Sequence, residues 1–222
     1  MRTIRQLSIT GYILPAIALF SLLFSVAEAK AALVTYSFTG GVSQVNGALL
    51  PTVNLMSPVS GMFQFDNSPA VGGNYPGVVS NMTLNIGGYT STYAPGANAV
   101  TIFKGIDLGG GSIGDRWRLV TAATGSAING YSPFRFDLHL DREGSLFANT
   151  NMQNPPGLGS LTGSRWRLIF ENAEGNLVRI QGSLSSLTAV PLPAAVLLFG
   201  AGLISLVGLG AGGLRNLRGT QS

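Results

Sequence analysis

Along the middle of the chain, hydrophobic and polar residues alternate with a period of two, as they do in β-strands with one buried face. In the clearest case, residues 134–141, phenylalanine and leucine alternate with charged residues and a histidine. Residues 34–39, 62–65, 82–86 and 165–170 repeat the pattern, and turn-forming residues separate these runs. About eight to ten such strands predict a mainly β domain over residues 32–188, specifically an antiparallel β-sandwich or jelly-roll-like fold.

Each of the two tryptophans of the chain, Trp117 and Trp166, stands between two arginines. Because alternation places the rings on the apolar face and the arginines on the other, we expect the rings to enter the core. The arginines then need acidic neighbours, and alternation offers Asp137, Asp141 and Glu171. The alternative interpretation is a sugar-binding platform, in which a ring stacks on a pyranose and the guanidinium groups bind hydroxyls or carboxylates.

The N-terminus has the pattern of a signal peptide, which we assign to residues 1–31. Arg2 and Arg5 precede an apolar run over residues 9–26, and small residues follow it. Charge, apolar run and an A-x-A site in this order are typical of a secretory signal helix that is cleaved. We expect cleavage after Ala29 or Ala31, with the Sec translocon and signal peptidase as partners.

The C-terminus has the pattern of a single transmembrane helix. Residues 194–214 are apolar and uncharged, and their length matches the ~20 residues needed to cross a bilayer. Arg215 and Arg218 follow, and basic residues favour the cytoplasmic side. Since the signal peptide would deliver the body to the opposite side, the chain is predicted to be anchored in the inner membrane by its tail.

A proline-containing motif lies directly before this apolar run: Val190, Pro191, Leu192, Pro193 and Ala194. Together with the helix and the basic tail, it makes residues 189–218 resemble a PEP-CTERM sorting signal in its VPLPA-CTERM variant. The resemblance implies that the chain is a substrate of exosortase, a membrane-embedded cysteine transpeptidase-like enzyme that removes the tail. It also implies export in a Gram-negative bacterium that makes exopolysaccharide, with the product finally at the cell surface or outside the cell.

The charge distribution argues against a nucleic-acid partner. The net charge is +4, but residues 33–190 contain one lysine and seven arginines against five aspartates and three glutamates. The excess therefore lies at the two termini, where it indicates membrane topology rather than phosphate binding. The chain has no cysteine, which excludes disulfides, thiolate catalysis and zinc–thiolate sites.

The strongest candidate for catalytic or metal-binding chemistry is His139, the only histidine, which stands between Asp137 and Asp141. We interpret this segment as a solvated strand face in preference to a metal site, because no second histidine and no H-E-x-x-H, G-x-S-x-G or P-loop motif accompanies it. No catalytic residue, cofactor or metal is predicted. The expected function is a non-enzymatic structural or adhesion protein of the envelope, biofilm or exopolysaccharide matrix. The alternatives are a secreted carbohydrate-binding module that binds exopolysaccharide and a glycosidase built on the carboxylates of the body.

Overall fold

The computed structural model describes residues 33–68 and 72–191, which form a nine-stranded antiparallel sheet. In chain order the strands are β1 (Leu33–Val45), β2 (Pro58–Asp66), β3 (Asn74–Pro76), β4 (Val79–Ile86), β5 (Tyr89–Gly109), β6 (Ser112–Gly125), β7 (Ser132–Glu143), β8 (Gly163–Glu171) and β9 (Leu177–Val190). Within the described residues, the only helical elements are two single 3₁₀ turns, Gly47–Leu49 and Leu158–Ser160. The predicted mainly β, antiparallel class is confirmed.

The sheet closes on itself as a barrel. Eight strands follow the order β5-β4-β2-β1-β9-β8-β7-β6, and β6 pairs again with β5, while the short β3 pairs with β5 as an extra strand. Closure depends on β5, which pairs with β4 through Tyr89–Thr92 and with β6 on both sides of a register shift between Tyr93 and Asn98. Such irregularities bend a strand and allow a sheet to curl. The predicted sandwich or jelly roll is therefore not confirmed, because one continuous sheet encloses the core.

Aromatic side chains fill the barrel interior. Phe38 of β1 stacks on Phe136 of β7, with ring centroids 6.1 Å apart, and Phe63 of β2 lies 6.0 Å from Trp117 of β6. These pairs join strands that are not neighbours in the sheet, so opposite walls meet in a packed core. Trp117 and Trp166 both have no exposed surface. Their predicted core position is correct, and the sugar platform fails because a fully buried ring cannot stack on a sugar.

The two described ends of the chain leave the barrel on the same side. Thr35, near the start of β1, pairs with Val190, the last residue of β9. We call this side the terminal end of the barrel. The opposite side, the distal end, carries the β1–β2, β4–β5, β6–β7 and β8–β9 connections, as the antiparallel pairing requires.

A buried carboxylate fastens the long β7–β8 loop over the terminal end. Asp115 accepts hydrogen bonds from the backbone N–H groups of Leu146 and Phe147, at 2.7 and 2.9 Å. Burial by itself would raise the pKa of Asp115, but the backbone hydrogen bonds outweigh it and the pKa is lowered. Trp117 adds a second tie, since its Nε1–H donates to the carbonyl oxygen of Gln153 at 3.0 Å. Asp115 is thus a structural residue.

Candidate functional site: an arginine-rich outer face

Most arginines of the barrel lie on the outer face of β6, β7, β8 and β9. Because these strands turn their apolar residues inward, the alternate residues point outward and align in rows across the sheet. The register places Arg116 opposite Asp141, and Arg167 opposite Asp137. We define the basic face as Arg116, Arg118, Arg135, Asp137, His139, Asp141, Arg165, Arg167 and Arg179. Six arginines against two aspartates give this face an excess of four positive charges, although residues 33–190 as a whole are neutral.

Each aspartate of the basic face is held by one arginine through two hydrogen bonds. Arg116 donates to the two carboxylate oxygens of Asp141 at 2.6 and 2.9 Å, and Arg167 donates to those of Asp137 at 2.7 and 2.6 Å. The hydrogen bonds that Arg167 donates to Asp137 raise the pKa of Arg167. Two of the predicted acidic partners are therefore confirmed, whereas Glu171 forms no ion pair with any described residue. Both aspartates serve to fix arginines in place.

His139 lies beneath the arginines and is only 5% exposed, so its predicted position on a solvated strand face is wrong. Nη2 of Arg165 lies 2.9 Å from Nδ1 of His139. Because a guanidinium group has no acceptor, Nδ1 accepts this hydrogen bond and the ring proton is on Nε2. Burial is the main cause that lowers the pKa of His139, to about 4. The positive charges of the surrounding arginines lower it further, whereas the negative charge of Asp137 raises it. The ring is therefore neutral at neutral pH.

Four arginines of the basic face form no ion pair with the described residues: Arg118, Arg135, Arg165 and Arg179. The Nε atoms of the first three are buried and have no hydrogen-bond partner. Burial lowers the pKa of Arg118 and Arg165, but both guanidinium groups stay charged at neutral pH because the ordinary pKa of arginine is far above neutral. A buried donor without a partner costs ~1–3 kcal/mol, so an anion that supplies acceptor oxygens would bind here favourably.

The residues that the sequence singled out lie elsewhere. Trp117 and Trp166 are on the inner face of β6 and β8, separated from the basic face by the sheet itself. Val190 ends β9 and is 43% exposed, and Pro191 follows it. The rest of the predicted sorting motif, basic tail and cleavage sites lies outside the described residues: Leu192, Pro193, Ala194, Arg215, Arg218, Ala29 and Ala31.

Neither a metal site nor a membrane-spanning helix is found in the described part of the chain. In residues 33–68 and 72–191, no group of three or more histidine, cysteine, aspartate or glutamate residues could hold a metal ion. His139 and its flanking aspartates do not form one, because arginines occupy both carboxylates and the Nδ1 lone pair. Over the same ranges, no helix is both long enough and apolar enough to span a membrane.

Comparison with known proteins gave no relative. No protein-family model matches the chain, and no curated protein and no solved structure matches it at a significant level. The chemistry of the basic face is accordingly inferred from its own geometry.

Proposed function

We propose that this chain is an exported, surface-sorted structural or adhesion protein of the cell envelope or exopolysaccharide matrix, and that its barrel binds acidic polysaccharide through the basic face. The observation that carries the proposal is the excess of four positive charges on that face, with four arginines that have no ion-pair partner among the described residues. Charge-assisted hydrogen bonds from guanidinium to carboxylate are among the stronger polar contacts in water.

The shape of the basic face suits an extended polymer. It spans four adjacent strands of a closed barrel with a packed interior, so the arginines are presented on a rigid surface. A polymer with a carboxylate on every sugar can contact several arginines at once, and linked contacts of this kind raise the overall affinity. Residues 33–190 carry no net charge, so the attraction for any polyanion is confined to the basic face. Between the two polyanions, an acidic polysaccharide fits the proposed export of the chain better than a nucleic acid does.

The alternative of a glycosidase finds less support. Asp137 and Asp141 are four residues apart on one strand, about 13 Å of chain, whereas the paired carboxyl groups of glycosidases are ~5–9.5 Å apart. Each of them is also bound by an arginine. We therefore assign to the barrel a binding role without a catalytic step. The expected adhesion protein and the alternative carbohydrate-binding module are then one and the same molecule.

Affinity electrophoresis of the full chain, purified in a mild detergent, tests the binding. We expect polygalacturonate in the native gel to retard the protein, neutral dextran to have no effect, and added salt to weaken the retardation through screening. Replacing all four unpaired arginines of the basic face with glutamine should abolish it. Arg142→Gln is the off-face control, because this side chain donates to the carbonyl oxygen of Ser160 instead. Equal mobility in the two gels would contradict the proposal.

Fractionation of an epitope-tagged chain in a host with and without exosortase tests the sorting. In the presence of exosortase, the surface protein should begin at Lys30 or Ala32 and lack residues 194–222. Replacing Pro191 and Pro193 with alanine should block release and leave the full-length form in the inner membrane, because proline keeps the motif extended and accessible to the enzyme. If the intact mass of the surface protein corresponds to a chain that ends at Ser222, the tail is only an anchor.

A further inference from the structure

A shallow pocket of about 370 Å³ lies on the distal half of the basic face. Three arginines line it together with two amide side chains and three apolar ones: Arg135, Arg167, Arg179, Gln44, Asn46, Ile169, Leu177 and Val178. Its walls come from β7, β8, β9 and the end of β1, so the pocket exists only where these strands are adjacent. We call it the distal pocket and propose that it binds the carboxylate and ring of one acidic sugar unit. This proposal rests on the proposed function and assigns the ligand class to one part of the basic face.

The distal pocket is positively charged, and two of its three arginines have no ion-pair partner among the described residues. Arg135 and Arg179 make no side-chain hydrogen bond to the described residues, and the buried Nε of Arg135 lacks a partner. Arg167 uses Nε and Nη2 for Asp137, which leaves Nη1 available. Among the residues that line the pocket there is no carboxylate, and Glu171, two residues beyond Ile169 on β8, forms no ion pair within residues 33–68 and 72–191. No carboxylate in the pocket lining would therefore compete with an incoming anion for the donors of Arg135 and Arg179.

The remaining walls of the distal pocket suit a sugar ring. Leu177 is 57% exposed and forms an apolar wall with Ile169, against which the C–H groups of a pyranose can pack. Gln44 and Asn46 lie on the β1 side and offer amide groups for hydroxyls. The side-chain oxygen of Asn46 already accepts from the backbone N–H of Ala48, so its NH₂ group is the part left for a ligand. Carboxylate, hydroxyls and an apolar ring face together describe a uronic acid.

The position of the distal pocket fits a ligand outside the cell. Arg179 is near the start of β9 and Val190 is its last residue, about 35 Å further along the strand. Since Val190 ends β9 at the terminal end, the pocket lies toward the opposite end of the barrel from the last described residues of the chain. A binding site at this end stays accessible both before and after removal of the tail.

Calorimetry on the full chain in detergent tests the proposal, with trigalacturonate as the probe and neutral maltotriose as its matched control. We expect trigalacturonate to bind and maltotriose to bind at least ~10-fold more weakly. Replacing Arg135 and Arg179 with glutamine should weaken trigalacturonate at least ~10-fold, as expected from losing two charge-assisted hydrogen bonds. Arg142→Gln should change its affinity less than ~2-fold, because Arg142 is outside both the basic face and the distal pocket and donates to the carbonyl oxygen of Ser160. Unchanged fluorescence of the two buried tryptophans shows that each variant is folded.

Three results would overturn the distal-pocket proposal. Equal weakening of trigalacturonate binding by Arg142→Gln and by the double variant would show that overall positive charge, and not the pocket, attracts the ligand, and polygalacturonate retardation would still support the proposed function. Equal binding of maltotriose and trigalacturonate would show that the carboxylate is not recognised. Tighter binding of a single-stranded oligonucleotide than of trigalacturonate, lost in the double variant, would assign the pocket to nucleic acid. If polygalacturonate also fails to retard the full chain, the proposed function fails with it.

Discussion

The buried imidazole of His139 makes the stability of the barrel depend on pH in a range where ordinary carboxylates are mostly ionised. In the folded chain its pKa is about 4, whereas the ordinary value is 6.5. Between these two values the unfolded chain binds a proton that the folded chain does not, so the free energy of unfolding falls as the pH falls from 6.5 towards 4.

The size of this effect follows from the two pKa values. One pKa unit corresponds to about 1.4 kcal/mol, and at pH 5 the linkage amounts to about 2 kcal/mol relative to pH 7.5. His139→Asn removes the titration and keeps a side-chain oxygen near the position of Nδ1, which can still accept from Arg165. The variant should be less stable at pH 7.5 because it leaves a small cavity, but it should lose about 2 kcal/mol less than the wild type between pH 7.5 and pH 5.

Two measurements on the full chain in detergent check this reasoning. Because the chain has one histidine, its NMR signal is unambiguous, and it should not titrate between pH 8 and pH 5. Denaturant unfolding, followed by the fluorescence of the two core tryptophans, gives the free energies at both pH values. The carboxylates titrate in both proteins, so the difference isolates His139. A midpoint near pH 6.5, or an equal loss of stability in His139→Asn, would refute the buried, neutral state of the ring.

Three further predictions concern the stability of the full chain, measured by denaturant or thermal unfolding. Trp117→Ala should cost ~3–5 kcal/mol, since the ring has no exposed surface, and a loss below ~1 kcal/mol would contradict a packed core. Gly182→Ala should strongly destabilise the barrel, because a Cβ there would collide with the carbonyl of Gly41 and lie 2.9 Å from Nε1 of Trp166. Gly159→Ala, at a position with open space around it, is the matched control, and equal effects would refute this account. Asp137→Asn should cost about 3 kcal/mol by leaving Arg167 without its carboxylate, and adding Arg167→Gln should recover part of the loss.

The sequence by itself determined the class of the fold and the faces of most strands. Alternation with a period of two marks the strands because successive side chains of a strand point to opposite sides, a property of the local backbone. It also separated the core tryptophans from the arginines and offered Asp137 and Asp141 as ion-pair partners, since strands with matching patterns tend to align in a sheet. The signal peptide and the sorting tail are predictions from the sequence that lie outside the described residues.

Local irregularities of the strands could not be predicted from the alternation of hydrophobic and polar residues. Phe134 should point inward with Phe136, but it is 45% exposed because a register shift between Pro133 and Arg135 moves it to the outer side. Closure of the barrel likewise depends on the register shift in β5 and on pairing between β5 and β6. Nothing in the period of the pattern distinguishes one sheet that curls from two sheets that stack, because both bury one face of every strand.

Only the tertiary structure decided which residues of the basic face are buried and where its unpaired arginines come together. His139 is buried because arginines from the strands on both sides extend over it, and a single strand read alone suggests a solvated residue. The distal pocket combines residues 44, 46, 135, 167, 169 and 177–179, which are more than 130 positions apart at their extremes. Such a site has no local sequence pattern, because its electrostatics arise from the summed charges of strands that become neighbours only when the sheet forms.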